Sequence, residues 1–181
     1  IIPHNAFILG DSLIVSSYYT DGITIHDMSR PHNLVEIASY DTHPLETGTF
    51  NGSWGAYPFL PSGLMLASDI SEGLFVLQPE LMRAAYFEGL VRDASNLNPL
   101  PDVKVTIAAD PQTDLTNAQG EFAVGTVQTG TFDVTFYKVA YYPQTISIDF
   151  SSGVVALDTI DLVPIPPFPL TVIVEDESSA N

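Results

Sequence analysis

Cysteine is absent from the 181-residue sequence. Its absence excludes disulfide bonds and thiolate metal sites, and it leaves the cellular compartment undecided. Long apolar runs are absent too, since none approaches the ~18 residues of a membrane-spanning helix, so we expect no transmembrane segment in this chain. The start, Ile1-Ile2-Pro3-His4, lacks an initiator methionine and the basic region of a signal peptide, which favours a piece of a longer protein.

Positive charge is scarce. Five lysine and arginine residues stand against 22 acidic residues, which gives a formal net charge of −17. A field of this sign repels phosphate backbones and anionic lipid surfaces, so nucleic acid is not an expected partner. The acidity is typical of a solubility feature in an exported protein, and divalent-cation binding is the alternative. We therefore predict no cofactor, with calcium as the alternative that the composition leaves open.

The first 78 residues contain an internal repeat. Ser17–Ile23 and Ser68–Leu74 share a serine, a hydroxyl residue, an acidic residue, a glycine and an aliphatic residue at matching offsets. The similarity continues upstream, where Leu13–Ser16 aligns with Leu64–Ala67. Self-similarity at this spacing indicates a repeat architecture.

The two repeat units predict different numbers of strands. Asp21-Gly22 between strand formers is a strong hairpin signal, because glycine accepts the positive φ of a tight turn. Four short antiparallel strands at this repeat length are typical of a β-propeller blade. We therefore predict an all-β fold in which residues 1–78 are the last two propeller blades, completed by other blades upstream in the same polypeptide. The first unit has four strand-like runs and the second has three: Ala6–Leu9, Leu13–Ser17, Ile23–Asp27 and Leu34–Asp41, then Gly55–Leu60, Leu64–Asp69 and Leu74–Gln78.

Several motifs in this region carry a family resemblance. His4–Phe7, Ser16–Gly22, Asp41-Thr42, Trp54–Pro58 and Ser68–Ile70 follow one another in an order that resembles the C-terminal part of the choice-of-anchor B (LVIVD-repeat) family. The members of that family are bacterial surface or secreted β-propellers, frequent in Bacteroidota, that end in different anchoring modules. The family has no firmly assigned chemistry. The resemblance therefore implies an extracellular or outer cell-surface location and no particular reaction.

The second half of the chain predicts a small antiparallel β-sandwich. Apolar and polar residues alternate in Val103–Ile107, Phe132–Phe136 and Gln144–Phe150, which is typical of strands packed on one face. About seven such runs, separated by turn residues, fit a sandwich of this size.

The same half resembles the carboxypeptidase regulatory-like (transthyretin-type) domain. The motifs that carry the resemblance are Phe87–Asp93, Pro99–Val105, Thr116–Phe122 and Gly130–Val134. In that family the domain is a non-catalytic spacer or accessory module, and the resemblance implies the same role here.

These patterns divide the chain into four parts. We predict propeller blades in residues 1–78, a joint in 79–85, the transthyretin-like sandwich in 86–163, and a linker with the start of a further module in 164–181. The linker prediction rests on Pro164–Pro169, whose prolines cannot donate ladder hydrogen bonds and favour a stiff extended conformation.

Candidate ligand-binding residues cluster at the ends of the repeated strands. His4 aligns with Trp54 in the repeat, and both precede an innermost strand, where side chains would reach the mouth of a central channel. An aromatic and acidic rim suits sugars or peptides, whereas packing between blades is the alternative role for Trp54. The predicted ligand-binding residues are His4, Tyr18, Tyr19, Asp21, Trp54 and Asp69.

Catalytic and metal-binding motifs are absent from the sequence. It contains no Gly-x-Ser-x-Gly elbow, Walker loop or His-Glu-x-x-His pair. The four histidines lack ligand spacing, and Asp110, Asp114 and Asn117 miss the pattern of a calcium loop. We therefore predict no catalytic residue and no metal site.

Two tripeptides predict a modification. Asp11-Ser12-Leu13 and Asp158-Thr159-Ile160 resemble the Asp-Ser/Thr-aliphatic acceptor of Bacteroidota O-glycosylation, which makes Ser12 and Thr159 candidate sites. Together, these observations predict a non-catalytic cell-surface or secreted protein that acts in adhesion, ligand binding or scaffolding, with carbohydrate or protein ligands. The alternative is an accessory region of a secreted hydrolase whose catalytic residues precede Ile1.

Overall fold

The computed structural model describes residues 3–44, 50–108, 110 and 113–169. These residues form fourteen β-strands arranged in four sheets, so the all-β prediction is confirmed. We use the name repeat region for residues 3–78 and sandwich region for residues 85–162. The last residues of the predicted linker and module, 170–181, lie outside the described residues.

The first sheet of the repeat region is a four-stranded antiparallel meander in the order β1-β2-β3-β4. Its turn at Asp21-Gly22 requires glycine, because Gly22 has φ 76° and a Cβ there would lie 2.1 Å from the Tyr40 carbonyl oxygen. The register pairs Val15 with Ile25, which places alternate aliphatic side chains on one face. The strands are β1 Asn5–Leu9, β2 Leu13–Ser17, β3 Ile23–Asp27 and β4 Val35–Tyr40.

The second sheet has three strands in the order β5-β6-β7 and packs on the first. One apolar core contains Val15 and Ile25 from the first sheet with Ala56, Met65 and Ala67 from the second. The counts of four and three strands predicted from the sequence are both confirmed. The strands are β5 Ser53–Tyr57, β6 Met65–Asp69 and β7 Gly73–Leu77.

The prediction of propeller blades is wrong. The sheets of the described residues are separate and open, and none is closed or propeller-like: β1 and β4 are the edges of the first sheet, and β5 and β7 are the edges of the second. The prediction failed because a propeller blade and an open meander both consist of short antiparallel strands joined by tight turns. Closure depends on long-range packing that strand periodicity does not report. The expected partnership with upstream blades depended on that architecture and is withdrawn with it.

The sandwich region contains seven strands in two sheets, as predicted, but the prediction that all of its strand pairs are antiparallel is wrong. The sheets have the orders β11-β8-β14 and β10-β9-β12-β13, and β14 runs parallel to β8 whereas the other pairs are antiparallel. Gly89 on β8 is needed because a Cβ there would lie 1.9 Å from the Asp158 carbonyl oxygen on β14. The strands are β8 Ala85–Asp93, β9 Lys104–Ile107, β10 Thr113–Leu115, β11 Glu121–Thr126, β12 Gly130–Tyr137, β13 Gln144–Phe150 and β14 Val155–Leu162.

Aromatic rings fill the core between these two sheets. Phe87, Phe122 and Phe136 are buried and meet edge-to-face, with ring centroids 4.9 to 6.3 Å apart. Edge-to-face pairs of this kind add to the stabilisation that comes from burying the rings. The core also contains Phe150 with aliphatic side chains from both sheets.

Polar contacts join the two regions. The carboxylate of Asp27 on β3 is almost fully buried and accepts, at 3.1 Å, the N–H of Ala84, the residue directly before β8. The Arg30 guanidinium donates to both oxygens of the buried Glu88 carboxylate on β8. A Cβ on Gly125 would lie 2.6 Å from a methyl carbon of Val35, so the main chain of the sandwich region lies directly against a side chain of the repeat region. The repeat region and the sandwich region therefore contact each other through specific groups.

Candidate functional site

Four aromatic side chains meet at one end of the repeat region. The ring of His4 lies 3.9 Å from that of Trp54 at a tilt of 34°, and 5.5 Å from that of Tyr19. Tyr19 also contacts Trp54 at 6.1 Å and Phe50 at 5.4 Å, in both cases edge-on. We call His4, Tyr19, Phe50 and Trp54 the aromatic cluster. The structure thus brings together three of the six ligand-binding residues predicted from the sequence.

The main chain fixes the position of this cluster. Tyr19 and Ser53 exchange two backbone hydrogen bonds of 3.1 and 2.8 Å, which tie the loop after β2 to the start of β5. Gly52 has φ 92°, and a Cβ there would lie 2.4 Å from the Tyr19 carbonyl oxygen. Only glycine allows this close approach, so residue 52 determines where Trp54 stands relative to Tyr19.

Asn5 supports the cluster from β1. Its side-chain amide donates to the Trp54 carbonyl oxygen at 3.3 Å, and its oxygen accepts the Ser17 hydroxyl at 3.2 Å. These bonds link the first strands of both sheets beneath the rings. The cluster is therefore held by strands and by paired main chain, which gives it a defined shape.

The cluster faces solvent on one side. Trp54 is 50% exposed and Phe50 is 71% exposed, whereas His4 and Tyr19 are half-buried beneath them. Large aromatic faces left in water at a rigid site are typical of surfaces that bind sugars or apolar side chains. The indole N–H, the phenol and the imidazole supply polar groups at the edges of the same surface.

Asp69 takes no part in the ring contacts of the aromatic cluster, although the register pairs it with Ser53. Its carboxylate is buried and accepts the Thr42 hydroxyl at 2.7 Å and the N–H groups of Ser71 and Glu72 at 2.9 and 3.0 Å. Burial alone would raise the pKa of Asp69, but these hydrogen bonds and nearby His43 outweigh it and hold the pKa below its usual value. Asp69 therefore acts as an ionised acceptor that closes the β6–β7 turn.

Tyr18 and Asp21 form the turn beside the cluster. The Asp21 N–H donates to the Tyr18 carbonyl oxygen at 3.1 Å, and the Tyr18 N–H donates to that of Gly22 at 2.8 Å. The Asp21 side chain is exposed and Tyr18 is half-buried. Neither takes part in the ring contacts that define the aromatic cluster, so their predicted role in ligand binding rests on proximity along the chain.

Phe50 is a member of the cluster that sequence reasoning missed. It lies in a polar connection that gives no strand signal and is not part of the repeated motifs. The available signal was Asn51-Gly52 directly after it, since this dipeptide marks a tight turn that brings the preceding residue close to the following strand.

The remaining predicted sites lie apart from one another. Ser12 is buried in the β1–β2 turn, and Thr159 is exposed on β14. His26, His32 and His43 each lie within 4.0 Å of a different carboxylate: Glu36, Glu88 and Asp69 respectively. Burial lowers the pKa of His26, and Glu36 partly offsets that effect. Over the described residues, no group of three or more metal-ligating side chains comes together.

One family model matches part of the chain. Residues 87–163 match the carboxypeptidase regulatory-like domain, which agrees with the resemblance seen in the sequence. The match covers the sandwich region and leaves the repeat region without a family assignment. No curated protein matches the chain at a significant level.

Three solved structures are similar to the chain at 9 to 11% identity. The minor pilin of Streptococcus agalactiae has a TM-score of 0.38 at 11% identity, with 65% of this chain and 66% of the pilin covered. The major pilin subunit of Bacillus cereus has a TM-score of 0.39 at 11% identity, covering 56% and 37%. The shaft pilin of Lactobacillus rhamnosus GG, a D295N mutant, has a TM-score of 0.37 at 9% identity, covering 75% and 84%. This chain therefore spans just under two thirds of the first and about a third of the second.

Among the described residues there is no helix long and apolar enough to cross a membrane.

Proposed function

We propose that this chain is a non-catalytic binding part of a bacterial cell-surface or secreted protein, acting in adhesion or scaffolding. In this proposal the aromatic cluster holds the ligand, and the sandwich region is a spacer. The proposed ligand is a carbohydrate or a protein segment.

The observation that carries the proposal is the pair of exposed rings on a rigid base. Trp54 and Phe50 expose large apolar faces, while hydrogen bonds from Asn5 and the Tyr19–Ser53 pair fix their surroundings. Little ordering entropy would be lost on binding, because the main chain of the site is already fixed. An indole face suits the apolar face of a sugar ring or an aliphatic side chain.

The match to the carboxypeptidase regulatory-like family supports the spacer role. Residues 87–163 match that domain, and its core is filled by apolar side chains from both sheets. Asp27, Arg30 and Glu88 join it to the repeat region, so the two regions would move together. A joined spacer of this kind would present the aromatic cluster at a fixed orientation.

A glycan and peptide array tests the proposal. The wild-type chain should bind a restricted group of glycans or peptides, and Trp54→Ala should lose at least about tenfold in affinity for them. Tyr142→Ala is the matched control, because Tyr142 is a similarly exposed aromatic residue in the sandwich region. Equal binding by Trp54→Ala and the wild type would exclude the aromatic cluster as the site.

We also propose Thr159, rather than Ser12, as the modified residue of the two candidates. The Thr159 side chain is exposed on β14, whereas Ser12 is buried in a turn and less accessible to a transferase. The intact mass of natively produced protein tests this. A mass above that of the bare chain, restored to the bare value by Thr159→Ala, would support the proposal, and an unmodified mass would exclude it.

A further inference from the structure

The second sheet lacks a neighbour along β7. In the first sheet, β4 pairs with β3 and completes a four-stranded meander. In the second sheet, β7 occupies the place of β3, and within the described residues it pairs with β6 alone. The residues that the repeat spacing would assign to a fourth strand, 86–91, belong to β8 instead. Among the described residues, one side of β7 therefore presents backbone N–H and C=O groups without a strand partner.

Two hollows lie along this open edge, and Tyr40 lines both. The smaller, of about 280 Å³, lies near the start of β7 beside Phe75, whose ring centroid is 5.9 Å from that of Tyr40. The larger, of about 460 Å³, lies near the end of β7. A fourth strand beside β7 would lie over β4 and direct alternate side chains into these hollows. The walls of the larger hollow include the apolar side chains of Ile23, Ile25, Ala38, Met65 and Leu77.

The outer face of β7 is also apolar. Leu74 is 65% exposed and Val76 is 59% exposed, although both belong to a regular strand. The register places Val76 opposite Leu66, which is itself opposite Tyr57, so an apolar row crosses the sheet at this point. A strand added to β7 would extend that row and cover part of it.

Acidic side chains stand at both ends of the edge. Glu80 lines the larger hollow, and Asp41 and Glu72 line the smaller one. All three side chains are exposed, and the whole chain has a net charge of −17. Basic residues at the ends of a bound segment would be attracted to them, while a second copy of this chain would bring like charges together.

We propose that β7 is a docking edge for an extended segment of another protein. The segment adds to the second sheet as its fourth strand, through backbone hydrogen bonds to β7. It has apolar residues at alternate positions, which enter the two hollows, and lysine or arginine at its ends. This site is separate from the aromatic cluster and does not depend on the function proposed for that cluster.

Selection from a peptide library tests the proposal with the full chain as bait. The library displays random peptides of about ten residues, the upper length of an ordinary strand. We expect the enriched peptides to share alternating apolar residues with basic ends. No enrichment, or enrichment of peptides without alternation, would overturn the proposal.

Backbone methylation of an enriched peptide separates strand addition from simple apolar binding. In a strand at a sheet edge, alternate N–H groups point towards the neighbour and the others point away. N-methylation of one alternate set should therefore weaken binding at least about tenfold, and methylation of the other set should leave it nearly unchanged. Equal effects of both sets would mean that an apolar ligand simply occupies the hollows, and would contradict strand addition.

Paired variants locate the bound peptide. Ala38→Leu reduces the larger hollow and should weaken binding, whereas Ala6→Leu, at an exposed position on β1, should not. Glu80→Lys should weaken the basic-ended peptide more than Asp158→Lys, which makes the same charge change on β14. Circular dichroism checks that each variant is folded. If the control variant of each pair weakens binding as much as its partner, the peptide does not bind at β7. If the chain instead forms a dimer through β7, the proposed occupant is wrong.

Discussion

The two regions of this protein differ in where their phenylalanine and tryptophan rings lie. In the sandwich region Phe87, Phe136 and Phe150 are almost completely buried and form the centre of the core. In the described part of the repeat region no phenylalanine or tryptophan ring is fully buried, and Phe50 and Trp54 are at least half exposed. The sandwich region therefore has a core of buried rings, whereas such rings of the repeat region remain available for contact.

The core of the repeat region contains other types of side chain. Its apolar part consists mostly of aliphatic and small side chains such as Val15, Ile25 and Ala67. Buried carboxylates complete it, because Asp27 and Asp69 accept main-chain N–H groups at the ends of strands. The sandwich region also contains buried carboxylates, Glu88 and Asp93, so the two regions differ mainly in whether aromatic or smaller apolar side chains fill the core.

Removal of a buried ring should have the largest effect on stability. Phe136→Ala should lower the free energy of unfolding by about 3–5 kcal/mol, because it leaves a cavity in the densest part of the core. Chemical denaturation followed by circular dichroism measures the loss. Phe50→Ala is the control from the repeat region, and it should change stability by no more than about 0.5 kcal/mol. Similar losses in the two variants would break the distinction between buried and exposed rings.

The second prediction concerns the carboxylate at the joint. Asp27→Ala should destabilise the protein by about 1–3 kcal/mol, because the buried N–H of Ala84 loses its acceptor. Denaturation followed by tryptophan fluorescence measures the effect in the repeat region. Asp21→Ala removes an exposed carboxylate from the turn at the other end of β3 and should have almost no effect. If Asp21→Ala lowers the free energy of unfolding as much as Asp27→Ala does, charge rather than hydrogen bonding explains the decrease.

The third prediction is that acid destabilises the repeat region. Burial would raise the pKa of Asp27, but hydrogen bonds from Ser29 and Ala84 outweigh it, and the pKa is held below its usual value. The pKa of Asp69 is lowered by a similar balance. A carboxyl group with a lowered folded-state pKa contributes stability above its unfolded pKa of about 3.9, and that stability is lost as the pH falls through the folded-state value.

Fluorescence and circular dichroism at decreasing pH measure this effect. We expect the free energy of unfolding to be nearly constant above about pH 7, to decrease as the pH falls through the unfolded pKa of His26 near 6.5, and to decrease further below about pH 5 as the carboxylates are protonated. The decrease should be smaller in a variant that lacks Asp27. A stability that rises as the pH falls from 5 to 3 would show that the sign of these pKa shifts is wrong.

The smallest effect on stability should come from the proposed binding surface. Trp54→Ala should lower the free energy of unfolding by only about 1 kcal/mol, because half of the side chain is already in water and the other half packs on His4 and Tyr19. Thermal denaturation followed by circular dichroism measures it. A loss near that expected for Phe136→Ala would mean that Trp54 is part of the core, and the contrast between the regions would fail.

Strand positions could be predicted from the sequence, and their closure could not. The Asp21-Gly22 turn and the alternation in Phe132–Phe136 are local signals, and the structure has strands where they indicated. The number of strands in each repeat unit was also predictable from local signals. Whether the sheets close into a ring depends on contacts between distant residues, and the same local pattern serves open and closed sheets.

The candidate site was predictable in part for the same reason. His4 and Trp54 were found because they occupy equivalent places in the repeat, and their rings do meet. Asp69 was grouped with them by its position in the motif. Its carboxylate instead accepts two main-chain N–H groups and closes a turn. The Arg30–Glu88 pair joins residues 58 apart in sequence, and no local pattern marks such a contact.

The most direct test of the binding proposal uses the chain's single tryptophan, Trp54. Its fluorescence reports on the aromatic cluster without any added label. During titration with a ligand identified on the array, we expect a saturable change in emission that Tyr19→Ala abolishes or weakens at least about tenfold. Full binding with unchanged Trp54 emission would contradict the assignment of the ligand to this cluster.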